Sequence, residues 1–221
     1  MKALIVLAGS MLLLAGCEHI GYQVDLIKYS NDEFDEQCSL TPYGGRCDST
    51  ALMHQNKAIW RQEENDLDQA LRQINMSLKI DPTSAKSHDI KGGILRDLGD
   101  WGEAMKSHER ALGLDDTYWT AYLGKANVLY HSDKNYLAAI KNYNLALDNV
   151  PPPAKLSAAD ISTLASLYGL LGLAHGRLGN NKAKCLYIEK AVEQEARYHE
   201  LLNQELSDPM LSDFYLKYCD N

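Results

Sequence analysis

The sequence predicts an all-α chain, a solenoid of about four helical hairpins closed by capping helices. Three observations predict it: small residues recur seven positions apart, the segments that hold them repeat at a spacing near 34 residues, and Gly or Pro stops follow the helices. The 221 residues allow one or two ordinary domains or one short array, and 45% hydrophobic residues suffice to bury a core.

The first segment, LDQALRQINMSLKIDP, carries Ala70, Ile74, Ser77 and Pro82. The second, WGEAMKSHERALGLDD, carries Ala104, His108, Ala111 and Asp116, and the third, YLAAIKNYNLALDNVP, carries Ala139, Tyr143, Ala146 and Pro151. Residues seven apart are nearly two helical turns apart and share a face, and a small side chain on that face lets a neighbouring helix approach closely. Ala58, Gly92, Ala126 and Gly172 hold the equivalent close-contact position in the helices before each segment, and in the fourth hairpin. Leu98-Gly99 and Leu178-Gly179 mark helix stops, where Gly supplies a left-handed cap.

These segments resemble tetratricopeptide repeats, in a frame of 51–84, 85–118, 119–153 and 165–198. The frame departs from the family pattern in places. His54 and His88 stand where an early aromatic belongs, a position filled by Tyr122 and Tyr168 in the last two repeats. Repeat three has one extra residue between its helices, within His131 to Asn135. Repeat four has Lys184 at the small position, with Ala183 one place early, which suggests a cap rather than a full member. Pro151-Pro152-Pro153 is expected to break the array and widen the gap before the fourth hairpin. A charged helix over 182–206 and a short one over 209–219 follow, with residues 199–221 assigned to capping helices.

The resemblance implies a scaffold that binds other proteins in a concave groove lined by the first helix of each repeat. The groove positions are Gln55, Ile59 and Gln62 in repeat one and Lys86, Asp89, Arg96 and Asp97 in repeat two. Repeat three adds Leu123, Asn127, Tyr130 and His131, and repeat four adds Leu173 and Arg177. Charges mixed with Ile, Leu and Tyr suit an extended or helical peptide. The carboxylate clamp found in some members of the family is not matched, because Gln55, Ile59 and Gly93 replace its Lys and Asn residues.

The N-terminus suggests where such a scaffold works. Lys2 is the only charge before the apolar run from Ala3 to Gly16. Fourteen residues are too few to span a bilayer, which takes about 20, and the layout is that of a signal peptide over residues 1–16. Leu14-Ala15-Gly16-Cys17 resembles the lipobox of bacterial lipoproteins, which implies cleavage before Cys17 and acylation there, palmitate included. Several acyl chains at about 0.8 kcal/mol per buried methylene give stable anchoring. Glu18 rather than Asp after the cysteine implies sorting to the periplasmic face of the outer membrane. Residues 17–50 read as a lipidated tether and an N-terminal cap. From Cys17 to Cys38 that tether reaches at most about 70 Å.

An envelope location permits disulfides. Cys38 and Cys47 flank the turn-rich Thr41-Pro42-Tyr43-Gly44-Gly45, so their loop closes at little entropic cost and a Cys38–Cys47 disulfide is expected to close the N-terminal cap. Cys185 and Cys219 pair by elimination, with geometry against them: Cys185 sits near the start of a helix expected to be about 30 Å long, and a returning helix climbs only about 15 Å. That pairing stays open at this stage.

Chemistry is sparse. His199-Glu200-Leu201-Leu202-Asn203 approaches a zincin helix, but Asn203 stands where the second imidazole must be. No nucleophile elbow, P-loop or calcium loop occurs, the seven histidines are scattered, and His108 falls at a core position. Neither a metal nor another cofactor is expected, and neither is an enzyme. With 22 basic against 30 acidic residues, a net charge of −8, the surface is also wrong for nucleic acid.

The sequence therefore reads as a membrane-anchored adaptor for envelope proteins. A lipobox followed by such repeats is similar to lipoproteins of pilus and secretion assembly and to adaptors of cell-wall remodelling. A glycan- or small-molecule-binding lipoprotein is the alternative from another class, with an enzyme of unrecognised type behind it. The anchor is directly testable: Cys17→Ala should leave uncleaved precursor and abolish labelling by a fatty-acid probe, and normal labelling of that variant would refute it.

Overall fold

The computed structural model describes residues 50–201 and Cys219. Cys17, the tether, and Cys38 with Cys47 lie outside the described residues. Within them the chain is helical: α1 (Ala51–Glu63), α2 (Leu67–Ile80), α3 (Ala85–Asp97), α4 (Trp101–Leu114), α5 (Trp119–His131), α6 (Tyr136–Asp148), α7 (Ala158–Arg177) and α8 (Asn181–Leu201), with a 3₁₀ turn at Pro153–Lys155. Each odd-numbered helix pairs with the next as a hairpin. Each hairpin stacks on its neighbour, and the first helices α1, α3 and α5 also touch in sequence. This is the tetratricopeptide-type α-solenoid.

The local code repeats with the fold. Three of the four first helices begin on a capping hydroxyl: Thr50, Ser84 and Ser157 accept from the backbone N–H three residues on, and Ser157 with Asp160 completes a capping box, whereas α5 follows Tyr118 with no side-chain cap. Second helices begin on Asp or Asn: Asp66, Asp100, Asn135 and Asn180 do the same. The residue before each of these caps has a positive φ, at Asn65 (60°), Gly99 (83°), Lys134 (50°) and Gly179 (76°). A left-handed residue is thus the hinge of every hairpin. Gly is the cheapest occupant, and Lys134 takes the conformation in the loop with the extra residue.

The core has one recurring contact. From each second helix a large side chain is buried against the small residue of its partner: Ile74 clusters with Ala58, Tyr143 with Ala126, and Ile188 lies on Gly172. In repeat two the large residue is His108. Its ring fills the space over Gly92 and also that over Gly124 of the next hairpin, where an added Cβ would collide with it. Ala58, Ala70, Ala104, Ala111, Ala126, Ala139 and Ala146 are fully buried, as the close-approach face requires. Burying each large aliphatic or aromatic side chain contributes about 1.5–3 kcal/mol.

The fourth hairpin departs from the sequence reading in three ways. Its first helix starts at Ala158 rather than 165, and the two added turns bury Ile161 and Leu164. The proline run does not open the core: a single apolar cluster continues from Tyr143 and Ala146 on α6 into Leu164, Leu167 and Leu171 on α7. Repeat four is also a full packing member. Lys184 occupies the small position, and the room it needs is made on the facing helix, where a Cβ at Gly176 would stand 3.1 Å from the Lys184 Cδ. Helix α8 continues unbroken past residue 199 to Leu201; residues 202–218, where the rest of the expected capping helices falls, lie outside the described part.

Cys185 and Cys219 are bridged, with Cα atoms 5.4 Å apart and 34 positions between them in sequence. The doubt over this pair rested on a helix expected to run to residue 206 before the chain returned.

The His108 contact generates a signed prediction. Ala is favoured over Gly in a helix by about 1 kcal/mol, so Gly124→Ala would be mildly stabilising if space allowed. Against the His108 ring it should instead cost about 1–3 kcal/mol by overpacking. In a His108→Ala background the same change should become neutral or stabilising. A four-point cycle of thermal melts checks this, and equal effects in both backgrounds would refute the contact.

Candidate functional site

The groove positions divide into three groups once their partners are counted. The first turns inward. Gln55 is buried and donates to Ser84 (3.0 Å) and Ser87 (2.5 Å), while Ser87 also meets Ser77 at 2.9 Å. Asp89 accepts from His108 Nδ1 and from the Thr120 hydroxyl, each at 2.7 Å, so both its oxygens serve the joint between repeats two and three. Leu123 is a core residue. Sequence reasoning put Gln55, Asp89 and Leu123 on the groove; their partners put them in the joints beneath it.

The second group is present but apart. Lys86 is exposed on the first turn of α3, ten residues and about 15 Å along the helix from Arg96. Ile59 is half-buried, and Leu173 is 38% exposed on α7.

The third group converges. Arg96 and Asp97 at the end of α3, Trp101 at the start of α4, and Asn127 and His131 on α5 line one depression of about 200 Å³. Arg96 donates through Nε (2.9 Å) and Nη2 (2.7 Å) to Asp97 Oδ1, and Gln62 of α1 donates to Asp97 Oδ2 at 2.6 Å. Asn127 Oδ1 accepts from the buried Tyr143 hydroxyl at 2.8 Å. Burial holds that phenol well above its ordinary range, so it remains a donor. Trp101 stacks on His131 with centroids 6.4 Å apart, His131 meets Tyr130 edge-on at 4.8 Å, and Tyr130 meets Tyr136 at 5.2 Å. The Arg177 Nε reaches the Tyr130 hydroxyl at 3.4 Å.

Asn127 and Tyr130 are each only 8% exposed, so they are walls of the site rather than surface residues. Removing Asn127 would strand the Tyr143 hydroxyl, a loss of about 1–3 kcal/mol. Trp101 and Tyr136 escaped the sequence reading because the repeat frame assigns the groove to first helices. Both begin second helices, immediately after the left-handed turn, and a large aromatic there was the available signal.

His131 is an exposed residue with Trp101 stacked beside it and Tyr130 edge-on to it. Burial and the nearby Arg96 guanidinium lower its pKa below the usual 6.5, and burial lowers that of His175 as well. The native state then resists a proton that the unfolded chain accepts. Both contributions are intact above pH 6.5 and are lost as the pH falls below it. The melting temperature should drop on acidification from pH 7.5 to 5.5, and His131→Gln should flatten part of that slope. An unchanged slope would mean that the ring is solvated.

No family model matches the chain, and no curated protein matches it. Solved structures do. A crystal structure of MamA is 20% identical, covers 70% of this chain and 83% of its own, and superposes with a TM-score of 0.53. MamA 41-end from Desulfovibrio magneticus RS-1 is 22% identical, with 69% and 81% covered and a TM-score of 0.50. YrrB, described as a TPR protein with an unusual peptide-binding site, is 22% identical over 55% and 56% of the two chains, at a TM-score of 0.46. At these identities the likeness to the two MamA structures is one of fold alone, stacked helical hairpins.

Proposed function

We propose that this chain is a lipid-anchored adaptor of the bacterial envelope that holds partner proteins against the groove face of its repeats. One observation carries the interaction reading: side chains from five helices, α3, α4, α5, α6 and α7, meet in a single strip, with Arg96 and Arg177 at its edges and Trp101, His131, Tyr130 and Tyr136 between. Arg, Trp and Tyr are the residue types most enriched at protein-binding hot spots. A strip assembled across three repeats offers the extended surface that recognition of another macromolecule needs.

The envelope part of the proposal rests on the sequence, on the lipobox-like Leu14-Ala15-Gly16-Cys17 and Glu18. Anchored at Cys17 on the periplasmic face of the outer membrane, the array would serve pilus or secretion assembly or cell-wall remodelling.

The test uses the residues that are accessible. Arg96→Ala, His131→Ala and Arg177→Ala combined should weaken a partner recovered from detergent-solubilised envelope by about 1–3 kcal/mol, with helix content retained. Lys106→Ala, on the exposed side of α4, is the control. If the triple variant binds as tightly as the parent, the partner uses another surface and the groove reading is wrong.

A further inference from the structure

The three joints between hairpins are built from equivalent positions of the repeat and are graded in chemistry. Each joint uses the second small position of a second helix, an early residue of the next first helix, and the fifth residue of the first helix before it. In the joint of repeats one and two these are Ser77, Ser87 and Gln55; in the next, Ala111, Ala121 and Asp89; in the last, Ala146, Leu167 and Leu123. All but Asp89 are buried.

The first joint is therefore closed by hydrogen bonds, from Gln55 to Ser84 and Ser87 and between Ser87 and Ser77. The second sets two alanines beside the bond from Thr120 to Asp89. The last is closed by hydrocarbon, with Leu164, Leu167 and Leu171 continuing the cluster of Tyr143 and Ala146. Water treats these joints differently. Hydrogen bonds lost on opening are replaced by bonds to water, whereas an apolar joint must expose hydrocarbon.

The two ends of the array differ in the same sense. An end hairpin leans on a single neighbour and opens more readily than an inner one. The last hairpin adds to its apolar joint the Cys185–Cys219 bridge and the bond from Arg197 to the Pro153 carbonyl. The first has Ile94, with Ile90 beside it, as its apolar support on α3. Within itself the first hairpin is coherent. Ile74 clusters with Ala58 and Ala70, His54 Nδ1 and Gln73 Oε1 pair at 2.7 Å, and Ser77 donates to the Ala51 carbonyl at 2.8 Å.

We propose that the hairpin α1–α2 is a movable wall of the groove, which swings off α3 as one body about residues 81–83 while repeats three and four stay folded. Opening withdraws Gln62 from Asp97 Oδ2 and bares Ile90 and Ile94. The groove then has a fixed wall at repeats three and four and a hinged one at repeat one. Segments that open ahead of the whole are those a protein can move in use. The inference rests on the joints and not on the adaptor reading.

The test is native-state hydrogen exchange, read by peptide-resolved mass spectrometry on the full chain in detergent with its disulfides intact. Amides of α1 and α2 should exchange together, through openings at least ten-fold more frequent than those that expose α7. Their denaturant dependence should be shallower than that of global unfolding. Gln55→Leu combined with Ser77→Ala and Ser87→Ala gives the first joint the apolar character of the last. It should slow exchange in α1 and α2 at least ten-fold and leave α7 unchanged. Circular dichroism checks that this variant folds; if it does not, the parent's exchange pattern decides.

Exchange of α1 and α2 through global unfolding alone, fraying of α1 ahead of α2, or earlier opening of the α7–α8 hairpin would each overturn the movable wall. A folded triple variant that exchanges as fast as the parent would do the same.

Discussion

Everything in this array depends on one contact, a large side chain of a second helix set against a residue without bulk on the first. Ile74, His108, Tyr143 and Ile188 occupy that position in turn, and Ala58, Gly92, Ala126 and Gly172 receive them. Helix spacing in a hairpin follows from how far a backbone can approach, and the missing side chain sets that limit. The contact also joins hairpins: His108 lies against Gly124 of the following repeat as well as Gly92 of its own. Hairpin closure and hairpin stacking are thus fixed by the same atoms.

Two of the four large residues are polar, and the consequences spread into the groove. His108 needs a partner for Nδ1 and Tyr143 for its hydroxyl, since a buried polar group without a hydrogen bond costs about 1–3 kcal/mol. Asp89 and Asn127 supply them from the groove-facing helices. Those residues are therefore committed in different degrees. Asp89 is consumed by His108 and Thr120, whereas Asn127 gives up only its oxygen and keeps its amide for the groove. The composition of the binding strip is partly a by-product of what the core demands.

The fold was legible because its determinants are local and periodic: small residues seven apart, turn glycines, and Pro stops after the second helices. Two of the left-handed hinges, Gly99 and Gly179, announce themselves; Asn65 and Lys134 do not, because neither residue type demands the conformation it adopts. The longer α7 was missed because a fixed 34-residue frame cannot register seven extra residues that continue a helix. The site was legible only as a set of positions. Arg96, Asp97, Asn127, Tyr130, His131 and Arg177 converge as a repeat frame implies, but Trp101 and Tyr136 join from second helices. Gln55, Asp89 and Leu123 leave because their partners lie inside. Which way a polar side chain turns depends on the neighbour across the joint, and periodicity along one chain does not encode that neighbour.

The Cys185–Cys219 bridge acquires a meaning from its place in the array. In a stack where each hairpin leans only on its neighbours, the last one is supported from a single side and frays first. Helix α8 rests on α7 and is tied by Arg197 to the Pro153 carbonyl; the bridge pins the chain end back onto its first turns. Arg177, the far edge of the binding strip, ends the helix that α8 covers. Oxidation state thus bears on the docking of the fourth hairpin, from which Arg177 projects. Were a partner held at the proposed strip, a reductant that loosened this docking would weaken the grip, and the bound partner would make the bridge harder to reduce by the same free energy.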